Sequence, residues 1–457
     1  MIQLPWGSGT LAVELPPGWN VLGQYVPQPM SPAESPLDRC RAALARPLAA
    51  APLAERDLSD KRILLVSDDV SRPTPVATFF PAVRDALLAA GASAERIEIL
   101  FALGVHRPMT EAEAIAKVGP DAIARHRWHN HNAFDREQLA HLGRTARGTP
   151  VWLNRLLTQF DLIIPLGAVE PHVLLGFSGG YKMLLPGCAG AETIGTNHMQ
   201  GLDQGAFNYV GVSPDDSPMR LDLEEACQML GREVFVVNAA LTPEARVVDF
   251  FCGCPLAAVR TAAQYVRRHA EVEVPAEADV VIANSAPFDA DLRQSLKCMG
   301  NTFFAARPGG VLLGFARCQE GRGDVPLPPV TLPYGLLRRL MHLLGERRIM
   351  RFVRVVKRFD PIEQKFLTHF GLQMLRRNHV YVYSESLPAE TGRKLGMLRQ
   401  YGDVRRMIDD AVRQVGPRAT VAIFPQGGCT YSRGPIARDP RATAAGAADA
   451  AGAAGVA

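Results

Sequence analysis

The sequence predicts an α/β protein of two domains, each built on a mostly parallel sheet flanked by helices. Three observations carry that prediction. Eight β-branched or aliphatic runs end in polar or glycine clusters, with helical patterns between them. These runs are apolar throughout rather than alternating, as strands buried on both faces of a parallel sheet are. And 457 residues exceed what one ordinary core organises, so two domains are the natural division.

Taken in order, the runs are RILLVSDD (62–69), RIEILFALG (96–104), FDLIIPLG (160–167), EVFVVNAA (233–240), ADVVIANS (278–285), GGVLLGFA (309–316), HVYVYSE (379–385) and ATVAIFP (419–425). Helical patterns at 76–91, 221–231 and 255–271 lie between them. The charged, proline-containing link EVEVPAEAD (271–279) marks a boundary. One domain is expected over 1–272 and a second over 273–435. The stretch 436–457 is Ala/Gly-rich, nearly lacks bulky apolar groups, and reads as a disordered tail.

Charge narrows the function classes. Fifty basic and 46 acidic residues give a net charge of +4, too balanced to point to nucleic acid or a membrane surface. Eight cysteines show neither metal-ligand nor disulfide spacing, and are expected as buried, reduced thiols of a cytoplasmic protein. The opening MIQLPWGSG lacks the basic and apolar regions of a signal peptide, and no apolar run is long enough to span a bilayer.

In doubly wound sheets ligands collect beyond the carboxyl ends of the strands, and the polar signatures stand there. SDDVSRPTP (67–75) follows the first strong run. Its Arg72 and Thr74, stiffened by Pro73 and Pro75, suit an anionic phosphate, while the plainer reading pairs Arg72 with Asp69. GVHRPMT (104–110) follows the second run, placing His106 just past the strand and Thr110 at capping-box distance from Glu113. HRWHNHNAFD (126–135) adds three histidines without a carboxylate or cysteine at ligand spacing, and reads as an exposed turn. After the third run comes His172, then GFSGGYKMLLPGCAGAETIGTNH (176–198). Gly176, Gly179 and Gly180 give a backbone that a ligand could approach closely, with Ser178 among them and Lys182 and His198 beyond. The stretch lacks the order of a phosphate-binding P-loop and the spacing of a dinucleotide fingerprint. Ser178 does not directly follow a strand, as the nucleophile of a G-x-S-x-G elbow would.

These stretches, SDDVSRPTP, GVHRPMT, PHVLLGFSGGYKMLLPG and TIGTNH, together resemble the nickel-pincer lactate racemase family in order, spacing and identity, over about residues 60 to 430. The resemblance implies a nickel-pincer nucleotide cofactor (pyridinium-3,5-bisthiocarboxylic acid mononucleotide nickel) seated with the substrate in an interdomain cleft. By resemblance, Lys182 can join one arm of the cofactor covalently and His198 supplies the remaining ligand to the nickel ion, completing a four-coordinate site. Asp69, Arg72, Thr74, Ser178, Gly179 and Gly180 are the implied cofactor-binding residues. His106 and His172 become the acid–base pair of a 2-hydroxy acid racemase or epimerase that transiently passes hydride to the cofactor.

On the substrate side, APFDADLRQSLKCMG (286–300) resembles the family's P-x-D…Y-Q-x-x-K segment. Gln294 and Lys297 match its glutamine and lysine. Arg293 stands where lactate racemases carry Tyr, and Phe366 where they often carry Trp. An added guanidinium suits a substrate with a second acidic or polyhydroxy end, with Arg72 a further anion contact. The implied partners are a small 2-hydroxy acid and the proteins that synthesise the cofactor. Two rivals remain: a nicotinamide-dependent 2-hydroxy acid dehydrogenase, whose glycine fingerprint is not found, and a non-catalytic nickel-nucleotide-binding protein, which would not need both histidines.

Overall fold

The computed structural model of the chain describes residues 1–201, 208–323, 325–328, 331–356 and 362–434. The expected tail at 436–457 lies outside the described residues. Two compact units are present, one of Pro29–Gly201 and Val212–His269, the other of Met1–Gln28, Leu202–Gly211 and Ala270–Ala457. Each is a mixed α/β body with a mostly parallel sheet.

In the first unit the strands lie in the order Val247–Gly253, Val236–Leu241, Leu162–Ala168, Ile63–Asp68, Ile97–Ala102, Arg127–Asn130. The two-residue strand Glu233–Val234 pairs with the start of Leu162–Ala168. Neighbours are parallel except Val236–Leu241 with Val247–Gly253. Ile63–Asp68 is buried at every position, which is why its sequence shows no alternation. Ile63 and Leu65 pack with Phe79, Val83 and Leu87 at the helix Phe80–Ala89, whose first turn carries Pro81 where no N–H is needed. Chain order reverses between Ile63–Asp68 and Leu162–Ala168: later strands build outward from the former on one side, while the latter begins the other. Such a switch point opens a crevice at the carboxyl ends of the strands.

The second unit carries six strands in the order Arg399–Tyr401, His379–Tyr383, Ala306–Phe315, Ala278–Asn284, Thr420–Phe424, Asn20–Gln24, with every pair parallel. Residues 1–28, expected with the first domain, therefore belong to the second unit. Asn20–Gln24 forms its edge, and the hairpin Ile2–Trp6/Gly9–Val13 adds Leu4 and Val13 to the core of Val280, Ile282, Leu313, Phe315, Val421 and Ile423. A single cut in the sequence could not reveal this, because the pairing joins segments about 400 residues apart.

Candidate active site

The switch point brings two loops together. Asp68 ends its strand with both carboxylate oxygens engaged inside the protein. Lys117 Nζ lies 2.5 Å from Oδ1, and Thr74 Oγ1 donates to Oδ2 at 2.5 Å. Burial pushes the Asp68 carboxyl above its ordinary range, against the pull of Lys117 and Thr74. Lys117 also donates to the Arg72 carbonyl at 3.0 Å, so a buried ion pair holds the SDDVSRPTP loop in shape. Lys117→Met is expected to cost about 3–5 kcal/mol, because it strands a buried carboxylate. Restoring neutrality with Asp68→Asn in the same chain should recover much of that, as read by denaturant unfolding.

One residue further on, Asp69 turns to His106. Its Oδ2 lies 2.5 Å from His106 Nδ1, and its Oδ1 accepts from the Ser71 backbone N–H and hydroxyl at 3.0 and 2.5 Å. Burial raises the Asp69 carboxyl, but His106, Ser71 and Arg72 outweigh it and hold it below its ordinary value. The pairing of Arg72 with Asp69 is thus not formed. Among the described residues no hydrogen bond or ion pair to the Arg72 guanidinium is found, which keeps that cation available for an anion. The expected capping box is present, with the Thr110 backbone N–H donating to Glu113 at 2.8 Å.

The Gly104 N–H donates to the Gly187 carbonyl at 2.8 Å, tying the His106 loop to the segment that carries Lys182. His172 sits on the short hairpin Pro171–His172/Gly176–Phe177, and its Nδ1 accepts from the backbone N–H groups of Leu174 and Leu175 at 3.2 and 3.3 Å. Lys182 lies half-buried on the 3-10 turn Gly180–Met183. The glycines before it are also required by packing. A Cβ on Gly179, at φ 83°, would stand 2.5 Å from Val169 Cγ2, and one on Gly176 would stand 2.0 Å from the Val212 carbonyl oxygen. Close packing of the loop on its own protein requires them. Ser178 stitches the same loop down: its Oγ accepts from the Glu170 N–H at 2.8 Å and donates to the Ala168 carbonyl at 3.1 Å.

Two buried residues that the sequence did not flag hold this loop. Arg220, fully buried on the helix Pro218–Gln228, donates to the carbonyls of Gly179, at 3.0 Å, and Phe177. Burial lowers its guanidinium to about 10. Asn238 Oδ1 accepts from the Gly180 N–H at 3.1 Å. A polar residue inside the apolar run FVVNAA was the one available signal.

The helix Ala191–Gln200 carries His198. His198 Nδ1 donates to the Ile194 carbonyl at 2.8 Å, which leaves Nε2 as the nitrogen with the lone pair. Asn197 beside it is buried and donates to Met219 O and to Asp222 Oδ2, at 3.1 and 2.7 Å. Asp222 also accepts from Thr145 and Thr149 at 2.6 and 2.7 Å, locking the helix against Pro218–Gln228. An imidazole fixed through Nδ1 is the usual state of a metal-ligating histidine. Among the described residues no group of three or more His, Cys, Asp or Glu side chains could hold a metal ion. The donor set at His198 therefore suits a metal that brings its other ligands with it.

The histidine cluster is corrected. Arg127–Asn130 is an edge strand, not an exposed turn, and His126 and His131 are buried. His131 bonds the Ala189 carbonyl at 3.0 Å and Asn154 at 3.0 Å, and burial lowers its ring to about 4. In the second unit Arg293 and Gln294 lie on the short helix Leu292–Ser295 capped by Asp291, and Lys297 opens the next, with Nζ 4.9 Å from the Phe288 ring centroid. A cavity of about 590 Å³ lined by Arg56, Leu162, Glu233 and Cys254 opens at the amino ends of the first unit's strands and includes none of the predicted site residues.

The chain is similar to known proteins. The family described as Lactate racemase N-terminal domain matches residues 6–208. The lactate racemase of Thermoanaerobacterium thermosaccharolyticum is 28% identical over 330 residues, 70% of this chain and 75% of that protein. That of Lactiplantibacillus plantarum is 24% identical over 435 residues, 93% of this chain and 98% of its own. In fold, the lactate racemase apoprotein from T. thermosaccharolyticum aligns with a TM-score of 0.80 at 24% identity, over 94% of this chain and 99% of its own. A Thermotoga maritima protein aligns at 0.66 and 20% identity, over 88% and 100%.

Proposed function

Taking as premise that this chain belongs to the lactate racemase family, we propose that it is an isomerase, a racemase or epimerase of a 2-hydroxy acid that works with a nickel-pincer nucleotide. One observation carries the reading. His106, His172 and His198, on three segments of the first unit, each have the ring oriented through Nδ1 by the protein, by Asp69, by the Leu174 and Leu175 N–H groups and by the Ile194 carbonyl. The cofactor, when bound, supplies an acceptor for the hydrogen on the substrate's chiral carbon together with its electron pair. His198 Nε2 and Lys182 Nζ would hold it, with Arg72 on its phosphate. His106 and His172 are the groups that meet the hydroxyl, as the acid–base machinery of the inversion.

Arg293, Gln294 and Lys297 are assigned to the substrate's carboxylate and its far end. Arg293 supplies a planar guanidinium where lactate racemases carry a phenol, which favours a second carboxylate or a polyhydroxy chain over methyl. The protein, prepared from cells that make the cofactor, should convert at least one single-enantiomer 2-hydroxy acid towards a mixture of both configurations, read by chiral chromatography. Malate-like and sugar-acid substrates are expected to exceed lactate. A panel in which no hydroxy acid changes configuration, with cofactor bound, would overturn the reading.

A further inference from the structure

We infer that the amino end of the second unit's sheet is a binding site for a tetrahedral dianion, a phosphate group either free or carried as a monoester, held by Arg338 and His379 with Arg399 beside them. The site is independent of the function proposed above. His379 opens the strand His379–Tyr383 and Arg399 opens Arg399–Tyr401, with Arg399 opposite Tyr381. The sheet is parallel throughout, so both lie at its amino end. Arg293, Gln294 and Lys297, assigned to the substrate, follow the carboxyl end of Ala278–Asn284 instead.

A helix carries the remaining groups. Tyr334, Arg338 and His342 recur at every fourth position of Tyr334–Val355 and so share one face of its first turns. The Tyr334 hydroxyl accepts from the Val380 N–H at 3.0 Å, which docks that face on the start of the strand. Tyr334, Tyr381 and His379 form an aromatic floor, the rings of Tyr334 and His379 lying 6.4 and 6.2 Å from that of Tyr381. The Arg399 guanidinium lies over it, 4.9 Å from the Tyr334 ring centroid and 5.7 Å from that of Tyr381.

Charge is out of balance there. Arg338, Arg399 and Arg413 all act on Tyr381, whose hydroxyl burial nevertheless holds above its ordinary value. The carboxylate beside them is that of Asp410, and it is already committed. It accepts from the Tyr401 hydroxyl at 2.6 Å, pairs with Arg413, and stands 3.7 Å from Arg399. Arg338 is half-buried with its Nε enclosed, and among the described residues no hydrogen bond or ion pair reaches its guanidinium. His379 is 9% exposed, and among the described residues nothing hydrogen-bonds its ring. Burial, then the charges of Arg338, Arg399 and His342, push that imidazole down to about 3. His342 is itself lowered by burial, Arg338 and Arg376, the last of which donates to Gln373 Oε1 at 3.1 Å. Burying a cation with no counter-charge is costly, and a bound anion removes that cost. The three guanidinium groups at Tyr381 against one carboxylate leave two positive charges, the complement of a dianion. The donors come from a helix and two strands, which suits a tetrahedral group with acceptors on several sides better than a planar carboxylate.

The test reads His379 directly. In the full chain labelled with ¹⁵N-histidine, its ring signals are assigned through His379→Asn. Sulfate, which keeps both charges across the acid and neutral range, should shift them along a single saturable curve at constant ionic strength. The bound anion raises the pKa of the ring, so the complex takes up a proton and sulfate should bind more tightly as pH falls. Arg338→Met should weaken sulfate at least about tenfold, as for a lost charge-assisted hydrogen bond. In the anion-free chain the same variant should raise the His379 pKa, which shows that the neighbourhood is still folded. Inorganic phosphate and glycerol phosphate should shift the same signals, the tighter of the two telling whether the group is taken free or as an ester. Signals unmoved by all three anions, or equal sulfate affinity in Arg338→Met and wild type, would overturn the inference. So would calorimetric binding without a shift at His379, because the anion would then sit elsewhere on the chain.

Discussion

Replacing His198 with alanine is expected to leave a folded protein that no longer keeps nickel. Wild-type chain from cofactor-making cells should retain about one nickel per chain after gel filtration, as one cofactor held by one histidine ligand would give. The imidazole in question is the protein's own ligand in the proposed site, oriented by the Ile194 carbonyl at 2.8 Å. Removing it takes away a donor that no nearby His, Cys, Asp or Glu cluster could replace among the described residues. Retained nickel should fall at least about tenfold, more than the loss typical of a supporting hydrogen bond. Circular dichroism should be unchanged, since Asn197 and Asp222 lock the helix. Nickel retained at the wild-type level in His198→Ala would remove the metal assignment.

Deleting residues 2–28 should unfold the second unit while the first stays folded. The loss includes the edge strand Asn20–Gln24 and four buried core side chains: Ile2, Leu4, Val13 and Trp19, each no more than 7% exposed. Each large apolar side chain contributes about 1.5–3 kcal/mol when buried, so the deletion removes about 6–12 kcal/mol. That is comparable to the whole stability of a typical domain, about 5–15 kcal/mol. Hydrogen exchange should show protection lost in Ala278–Asn284 and Thr420–Phe424 but kept in Ile63–Asp68. A peptide of residues 1–28 added back should restore it in part. Full protection of both sheets without these residues would show that the pairing is dispensable.

Both sheets were legible because their strands are buried on both faces, and complete burial writes itself as an uninterrupted apolar run. Asn20–Gln24 was not, since an edge strand with three of its five positions exposed needs only two apolar residues. Arg127–Asn130 was hidden by His129, whose partner comes from elsewhere: Glu98, at 2.6 Å, on the neighbouring strand. In the site, His106, His172, Lys182 and His198 stood out as reactive residue types in loops and at a helix end. Arg220 and Asp222 gave no such signal. They sit among charges in MRLDLEEA, where helical periodicity alone places them as readily in water as in the core. Only the loop about 40 residues upstream, bringing the Phe177 and Gly179 carbonyls, makes a buried guanidinium tolerable. The glycines were legible as a motif, yet their cause was not, because the atoms that crowd them belong to Val169 and Val212.

The parallel pairing of Asn20–Gln24 with Thr420–Phe424 also sets a timetable for biosynthesis. At roughly 5–20 residues per second, the ribosome releases the first of these segments some 20–80 s before the second. Through that interval Leu4, Val13 and Trp19 have no sheet to cover, and they are a natural stop for a chaperone that holds nascent apolar segments.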